Sequence, residues 1–184
     1  AVGLVVGIFI GYQAGSSGSP PGSGAMSASP PSMPGGPLPP GPGDNFQARI
    51  VQMQQVVARD PKNVEAWIQL GNDYFDTRQP QKAIDAYSRA LELRPNNANV
   101  LTDQGVMYRD VGEFQKAVAN FAKATKADPT HVQSLYNAGV VYANDLRQPQ
   151  KAMEAWNKVI QIAPASQQAA QAKQGIAELK AKPQ

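Results

Sequence analysis

Residues 64–97 read VEAWIQLGNDYFDTRQPQKAIDAYSRALELRPNN, and the reading of this stretch decides the fold. Trp67, Leu70, Gly71 and Tyr74 recur at helical spacing, as do Ala83, Tyr87 and Ala90 after a break at Pro80. Two amphipathic helices joined by a short turn follow from that pattern. Pro80 suits the first turn of the second helix, where a missing N–H leaves nothing unsatisfied. Outward from this stretch the pattern repeats: Pro61, Pro95, Pro129 and Pro164 fall at intervals of 34, 34 and 35 residues. A constant period of that size is the mark of stacked supersecondary units.

The second unit, 98–131, carries Leu101, Gln104, Gly105, Tyr108, Ala117, Phe121, Ala124 and Pro129 at the same positions. The third, 132–164, carries Leu135, Ala138, Gly139, Tyr142, Ala152, Trp156, Val159 and Pro164, and is expected to hold its one extra residue in the turn between its helices. The hexapeptide RQPQKA occurs at 78–83 and again at 147–152. Gly71, Gly105 and Gly139 fall where two helices must touch, opposite Ala83, Ala117 and Ala152. Small residues there permit close approach, and the aromatic residues fill the space around them.

On these residues the chain resembles the tetratricopeptide-repeat (TPR) family. In 64–97 Trp67, Leu70, Gly71, Tyr74, Ala83, Tyr87, Ala90 and Pro95 occupy the eight signature positions and the match is nearly complete; 98–131 departs at Leu101 and Gln104. The resemblance implies an all-α TPR superhelix, an α-solenoid of three full repeats, and the three repeats cover a little over half of the chain. A half repeat is expected at 44–63, where Phe46, Ile50, Met53 and Val57 share one face. A polar-backed capping helix is expected at 165–182 from Ala169, Ala172, Ile176 and Leu179. Such caps cover the apolar ends of a stack.

The N-terminal quarter is of another kind. Every charged residue lies at or beyond Asp44, so the net charge of +3 belongs wholly to the repeat domain, 44–184. Residues 1–13 begin AVGLVVGIFIGY; as a helix this run spans about 18 Å against the about 30 Å hydrocarbon core of a bilayer. A truncated transmembrane anchor is expected, with the apolar region of a secretory signal as the alternative. Gly3, Gly7 and Gly11 form a doubled GxxxG, a candidate face for packing on another membrane helix, although glycine is common in membrane helices generally. Residues 14–43 are rich in Pro, Gly and Ser and read as a spacer with a reach of about 30–90 Å. The flank after the anchor lacks Lys and Arg; if the flank before it is basic, the repeat domain is expected outside the cytoplasm, in a bacterium the periplasm.

No catalytic constellation is present in the sequence. His131 is the one histidine, cysteine is absent, and neither HExxH nor a phosphate-binding glycine loop occurs. His131 is expected to be a solvated turn residue, and Asp73 and Asp76 ordinary surface carboxylates. Cations and anions are interspersed, so no nucleic-acid footprint is expected, nor any metal, cofactor or small-molecule substrate. The TPR resemblance implies instead a concave groove for a peptide segment of a protein partner. Carried over, its lining is Ile68, Asn72, Phe75 and Asp76; Thr102, Asp103, Val106 and Arg109; and Tyr136, Asn137, Val140 and Asn144. With Arg109 alone against Asp76 and Asp103, a neutral or mildly basic segment is expected. The function implied is a non-catalytic, membrane-tethered adapter or assembly factor. The alternative is a subunit of a membrane complex docked through the glycine face and linker; constant stoichiometry in mild detergent distinguishes it from an adapter with variable clients.

Overall fold

The computed structural model describes residues 42–181. The expected anchor at 1–13, with Gly3, Gly7 and Gly11, and almost all of the linker at 14–43 lie outside the described residues. Eight α-helices form the described part: α1 (Pro42–Arg59), α2 (Val64–Asp76), α3 (Pro80–Leu93), α4 (Ala98–Asp110), α5 (Phe114–Ala127), α6 (Val132–Val140), α7 (Pro149–Ile162) and α8 (Gln167–Ala181). A π-helical turn, Val141–Asp145, continues α6. Among the described residues no strand occurs, and no helix is long and apolar enough to cross a membrane. The all-α repeat architecture expected from the sequence is the architecture found.

Helices pair as hairpins, α2 with α3, α4 with α5 and α6 with α7, and each hairpin leans on the next through α3 on α4 and α5 on α6. The close approach within each hairpin rests on one glycine. A Cβ at Gly71 would lie 2.4 Å from the Tyr87 ring, and one at Gly105 would lie 2.5 Å from the Phe121 ring. The facing alanines Ala83, Ala117 and Ala152 are fully buried. α1 stands as the second helix of a half repeat, packed on α2 through Ile50 and Val57. α8 closes the other end, with Ala169 and Ala172 buried against α7 and Lys173, Gln174 and Glu178 outward.

Each of the first two hairpin turns is a Schellman motif. Gln79 N–H donates to the Tyr74 carbonyl (2.8 Å) and Arg78 N–H to that of Phe75 (3.0 Å); Glu113 and Gly112 do the same to Tyr108 and Arg109. The motif requires a left-handed residue. Gly112 takes it at φ +80°, but Arg78 and Arg147 take it at φ +55°. A side chain there clashes with its own carbonyl. Arg147 is exposed, so Arg147→Gly is expected to raise the unfolding free energy by about 0.5 kcal/mol, the relief exceeding the added entropy of the unfolded chain. Urea denaturation of the full chain measures this directly; a loss of stability would show the turn to be unstrained.

The third repeat departs from expectation in where it stores its extra residue. Gln148 N–H reaches back six residues to the Tyr142 carbonyl (2.7 Å), where its counterparts reach back five, and Leu146 N–H bonds the Val141 carbonyl (2.9 Å) in an i→i+5 pattern. The insertion is therefore absorbed inside the first helix as the π-turn, rather than in the loop. Widening a helical turn keeps every backbone N–H bonded, which a longer exposed loop would not.

Candidate partner-binding groove

The first helices form one row, since α2 touches α4, α4 touches α6 and α6 touches α8, whereas the second helices stand further apart from one another. The row of first helices is therefore the inner side of the bend, and the residues expected from sequence to line a groove belong to these helices and the π-turn. Ile68, Phe75, Val106, Tyr136 and Val140 are half-buried apolar or aromatic residues with one side packed on the core clusters. Asp76 and Asn144 are exposed, and Asn72, Asp103, Arg109 and Asn137 are half-buried.

Thr102 does not line the groove. It is 2% exposed, and its hydroxyl oxygen lies 2.8 Å from Ser134 Oγ across the α4–α6 seam and 2.7 Å from the Ala98 carbonyl. Asn72 is committed too: its Oδ1 accepts from the Tyr87 hydroxyl at 2.9 Å. Burial, reinforced by Asp103, Asp76 and Asp73, raises the Tyr87 pKa so far that this donor stays protonated.

The electrostatics of the groove are set by what its one expected cation does. Arg109 Nε donates to Asp145 Oδ2 at 2.6 Å, bridging the second repeat to the π-turn of the third. Sequence spacing gave no sign of Asp145 as its partner, because the π-turn rotates that stretch. Among the described residues Asp103 has no side-chain hydrogen-bond partner; burial first, and then repulsion from Asp76, push its carboxyl up to about 6. Asp76 is raised as well, by burial and by Asp73, with Arg49 opposing. Among the described residues neither carboxylate has an ion pair, and Arg49, near enough to act on Asp76, is held by Asp73; that arrangement favours a positive group from outside.

Asp73, expected on the surface, is fully buried. Arg49 of α1 donates to both its carboxylate oxygens, with Nε at 3.0 Å from Oδ1, and Gln69 Nε2 donates at 3.0 Å. Arg49 stands where the other second helices have Ala83, Ala117 and Ala152, and Asp73 where the other first helices have Met107 and Val141. Among the described residues the half repeat has no first helix, and its one helix meets α2 here through this ion pair.

Polar Gln104, a departure from the repeat pattern, is explained by its surroundings. Its amide donates to Ser88 Oγ (2.8 Å) and the Ile84 carbonyl (3.1 Å) and accepts from Asn120 Nδ2 (2.6 Å). A buried amide with all these partners is stable where an unpaired one would cost about 1–3 kcal/mol. One repeat earlier the same positions hold Leu70, Ala86 and Gln54, and there a cavity of about 450 Å³ opens between α1 and α3, floored by Trp67 and Tyr74.

Known proteins share this architecture. Over 52 residues the chain is 42% identical to the PEX5-related protein of Rattus norvegicus, a stretch that is 28% of this chain and 9% of that one, so the chain spans under a tenth of that relative. The crystal structure of MamA is similar with a TM-score of 0.65 and 25% identity, covering 77% of this chain and 90% of MamA. The first TPR of Spaghetti (RPAP3) bound to the HSP90 peptide SRMEEVD is similar in fold, at 20% identity and TM-score 0.60, over 67% of this chain and 97% of that one. The family described as cytochrome c-type biogenesis protein H TPR domain matches residues 45–170, more than half of the sequence and all three repeats. The chain is a TPR protein and belongs to that family.

Proposed function

We propose that this chain is a non-catalytic adapter or assembly factor that holds a neutral or mildly basic segment of a partner protein in the groove lined by α2, α4 and α6. The observation that carries the reading is the pair Asp76 and Asp103, without an ion pair among the described residues, while Arg109 is engaged by Asp145 and Arg49 by Asp73. Ile68, Phe75, Val106, Tyr136 and Val140 would receive apolar side chains, and Asn137 would bond the segment's backbone. The family's connection with cytochrome c-type biogenesis makes an unfolded c-type cytochrome segment the client to try first. The apolar start of the sequence supports a single-pass tether, and the absence of basic residues after it supports a periplasmic repeat domain.

The SRMEEVD peptide held by the RPAP3 domain is acidic, and the inner face described here would repel it. In fluorescence anisotropy with the full chain, labelled peptides tiling a c-type apocytochrome are expected to include lysine-bearing segments that bind saturably. Asp76→Lys, on the exposed member of the pair, is expected to weaken them about tenfold, or about 1.4 kcal/mol. Saturable binding of SRMEEVD that is lost in Arg109→Ala would overturn the assignment.

A further inference from the structure

The residue before the first helix of each repeat caps it. Asn63 Oδ1 accepts from Ala66 N–H at 3.0 Å, and Asn97 Oδ1 from Val100 N–H at 3.2 Å. In the third repeat the position holds His131, whose Nδ1 lies 3.4 Å from Ser134 N and 2.5 Å from Ser134 Oγ. The cap that is an inert amide in two repeats is titratable in the third, and the residue expected to be a solvated turn histidine is half-buried.

His131 begins a line of polar contacts through the α4–α6 seam. Ser134 Oγ meets Thr102 Oγ1 at 2.8 Å, and Thr102 Oγ1 meets the Ala98 carbonyl at 2.7 Å; on the other side of the ring, Nε2 lies 2.8 Å from Asn99 Oδ1. Ser134 and Thr102 are both buried. The contacts His131–Ser134, Ser134–Thr102 and Thr102–Ala98 need three protons, and the two hydroxyls supply two. With the ring neutral and its proton on Nε2, facing Asn99, Nδ1 is an acceptor and caps α6. With a second proton, on Nδ1, the ring donates to Ser134, Ser134 to Thr102 and Thr102 to the carbonyl; the line is complete, but the Ser134 amide loses its acceptor.

We propose that His131 is a proton-operated latch on the seam between the second and third repeats, capping α6 when neutral and releasing its first turn when protonated. Tyr136 and Asn137 follow within two turns on the same helix, so the latch would tune the third-repeat side of the groove; that consequence rests on the groove reading above. Burial lowers the His131 pKa below its ordinary value, with Asp128 in the α5–α6 turn opposing. Asp128 is itself held by the amide (2.9 Å) and hydroxyl (2.7 Å) of Thr130. α4 presents the uncharged Asn99 and Thr102, α6 presents Ser134, and α8 reaches this end of α6 through Gln168 on Gln133. Because the folded pKa is depressed, the neutral cap's contribution is complete above about pH 6.5 and is lost as the pH falls below it toward the folded value.

The test is NMR on the isotopically labelled full chain from about pH 7.5 to about pH 5, the range in which histidine titrates. The His131 ring midpoint is expected below about 6.5, with the Ser134 amide shifting in step. Protection of the Ser134 amide, after correction for intrinsic exchange, is expected to fall about fivefold, the equivalent of one lost cap. In His131→Asn, which carries the cap of the other two repeats, protection should not change with pH. Asp103 titrates in the same range in both proteins and cancels from the comparison. Unchanged protection through the ring's titration, or the same loss in His131→Asn, would overturn the latch. Loss of protection without any change in peptide affinity would uphold the latch and count against the groove.

Discussion

Replacing Gly139 by leucine is expected to lower the unfolding free energy of the full chain by about 3 kcal/mol. A Cβ at this position would stand 2.3 Å from Trp156 Nε1 and 2.4 Å from Cδ1, so the indole has to move before any side chain fits. Its retreat is blocked, because a Cβ at Gly175 of α8 would lie 2.6 Å from the opposite edge of the same ring, at Cζ3. The Trp156 Nε1 donation to the Tyr136 carbonyl, at 3.2 Å, adds a directional tie. Tyr87 and Phe121 meet a glycine on one helix only; Trp156 is held between two. Leucine is the better helix former by close to 1 kcal/mol, so a net loss can come only from the collision. Urea denaturation followed by circular dichroism measures it, and a change under about 0.5 kcal/mol would mean that the indole has room to rotate.

Arg49→Ala is expected to destabilise the chain by about 2–3 kcal/mol, and adding Asp73→Met to it is expected to restore most of the loss. The single change leaves a fully buried carboxylate with Gln69 as its remaining side-chain partner. Because the Arg49 side chain is 38% exposed, solvent screening holds the loss below that of a wholly buried pair. The double variant rebuilds at this end what the next junction already has, Ala83 on the second helix of one repeat and Met107 on the first helix of the following one. Recovery in the double variant would show that the ion pair substitutes for apolar packing at this end of the described residues. If the two losses simply add, the position does not tolerate the apolar solution, and the comparison between repeats is misleading.

The all-α repeat fold was legible because the Gly and Ala positions are fixed by close contact within a hairpin, which leaves a mark at constant spacing. The fate of polar residues was not, since it depends on partners one repeat away. Asp73 looked like a surface carboxylate, and only Arg49, 24 residues earlier, makes its burial tolerable. Thr102 shares the helical position of Ile68 and Tyr136, yet Ser134, a small residue in the next repeat, draws it into the seam. His131 was read as solvated because nothing local distinguishes a turn histidine from a capping one; the asparagines at 63 and 97 were the available hint. Of the proposed groove residues, the apolar ones are half-buried on the first helices, while the engagement of Arg109 by Asp145 is something the spacing did not indicate.

The π-turn at Val141–Asp145 shows how this kind of array can tolerate a change in chain length. The added residue is taken up as a local swelling, with Leu135 and Gly139 seated before it and Ala152 and Trp156 seated after it, so neither packing surface registers the insertion. What changes is the direction in which the swollen segment aims its side chains, and that is how Asp145 comes to face Arg109. A solenoid edited in this way acquires a new surface contact without a new loop, and its inner wall can diversify while the stack behind it stays as it was.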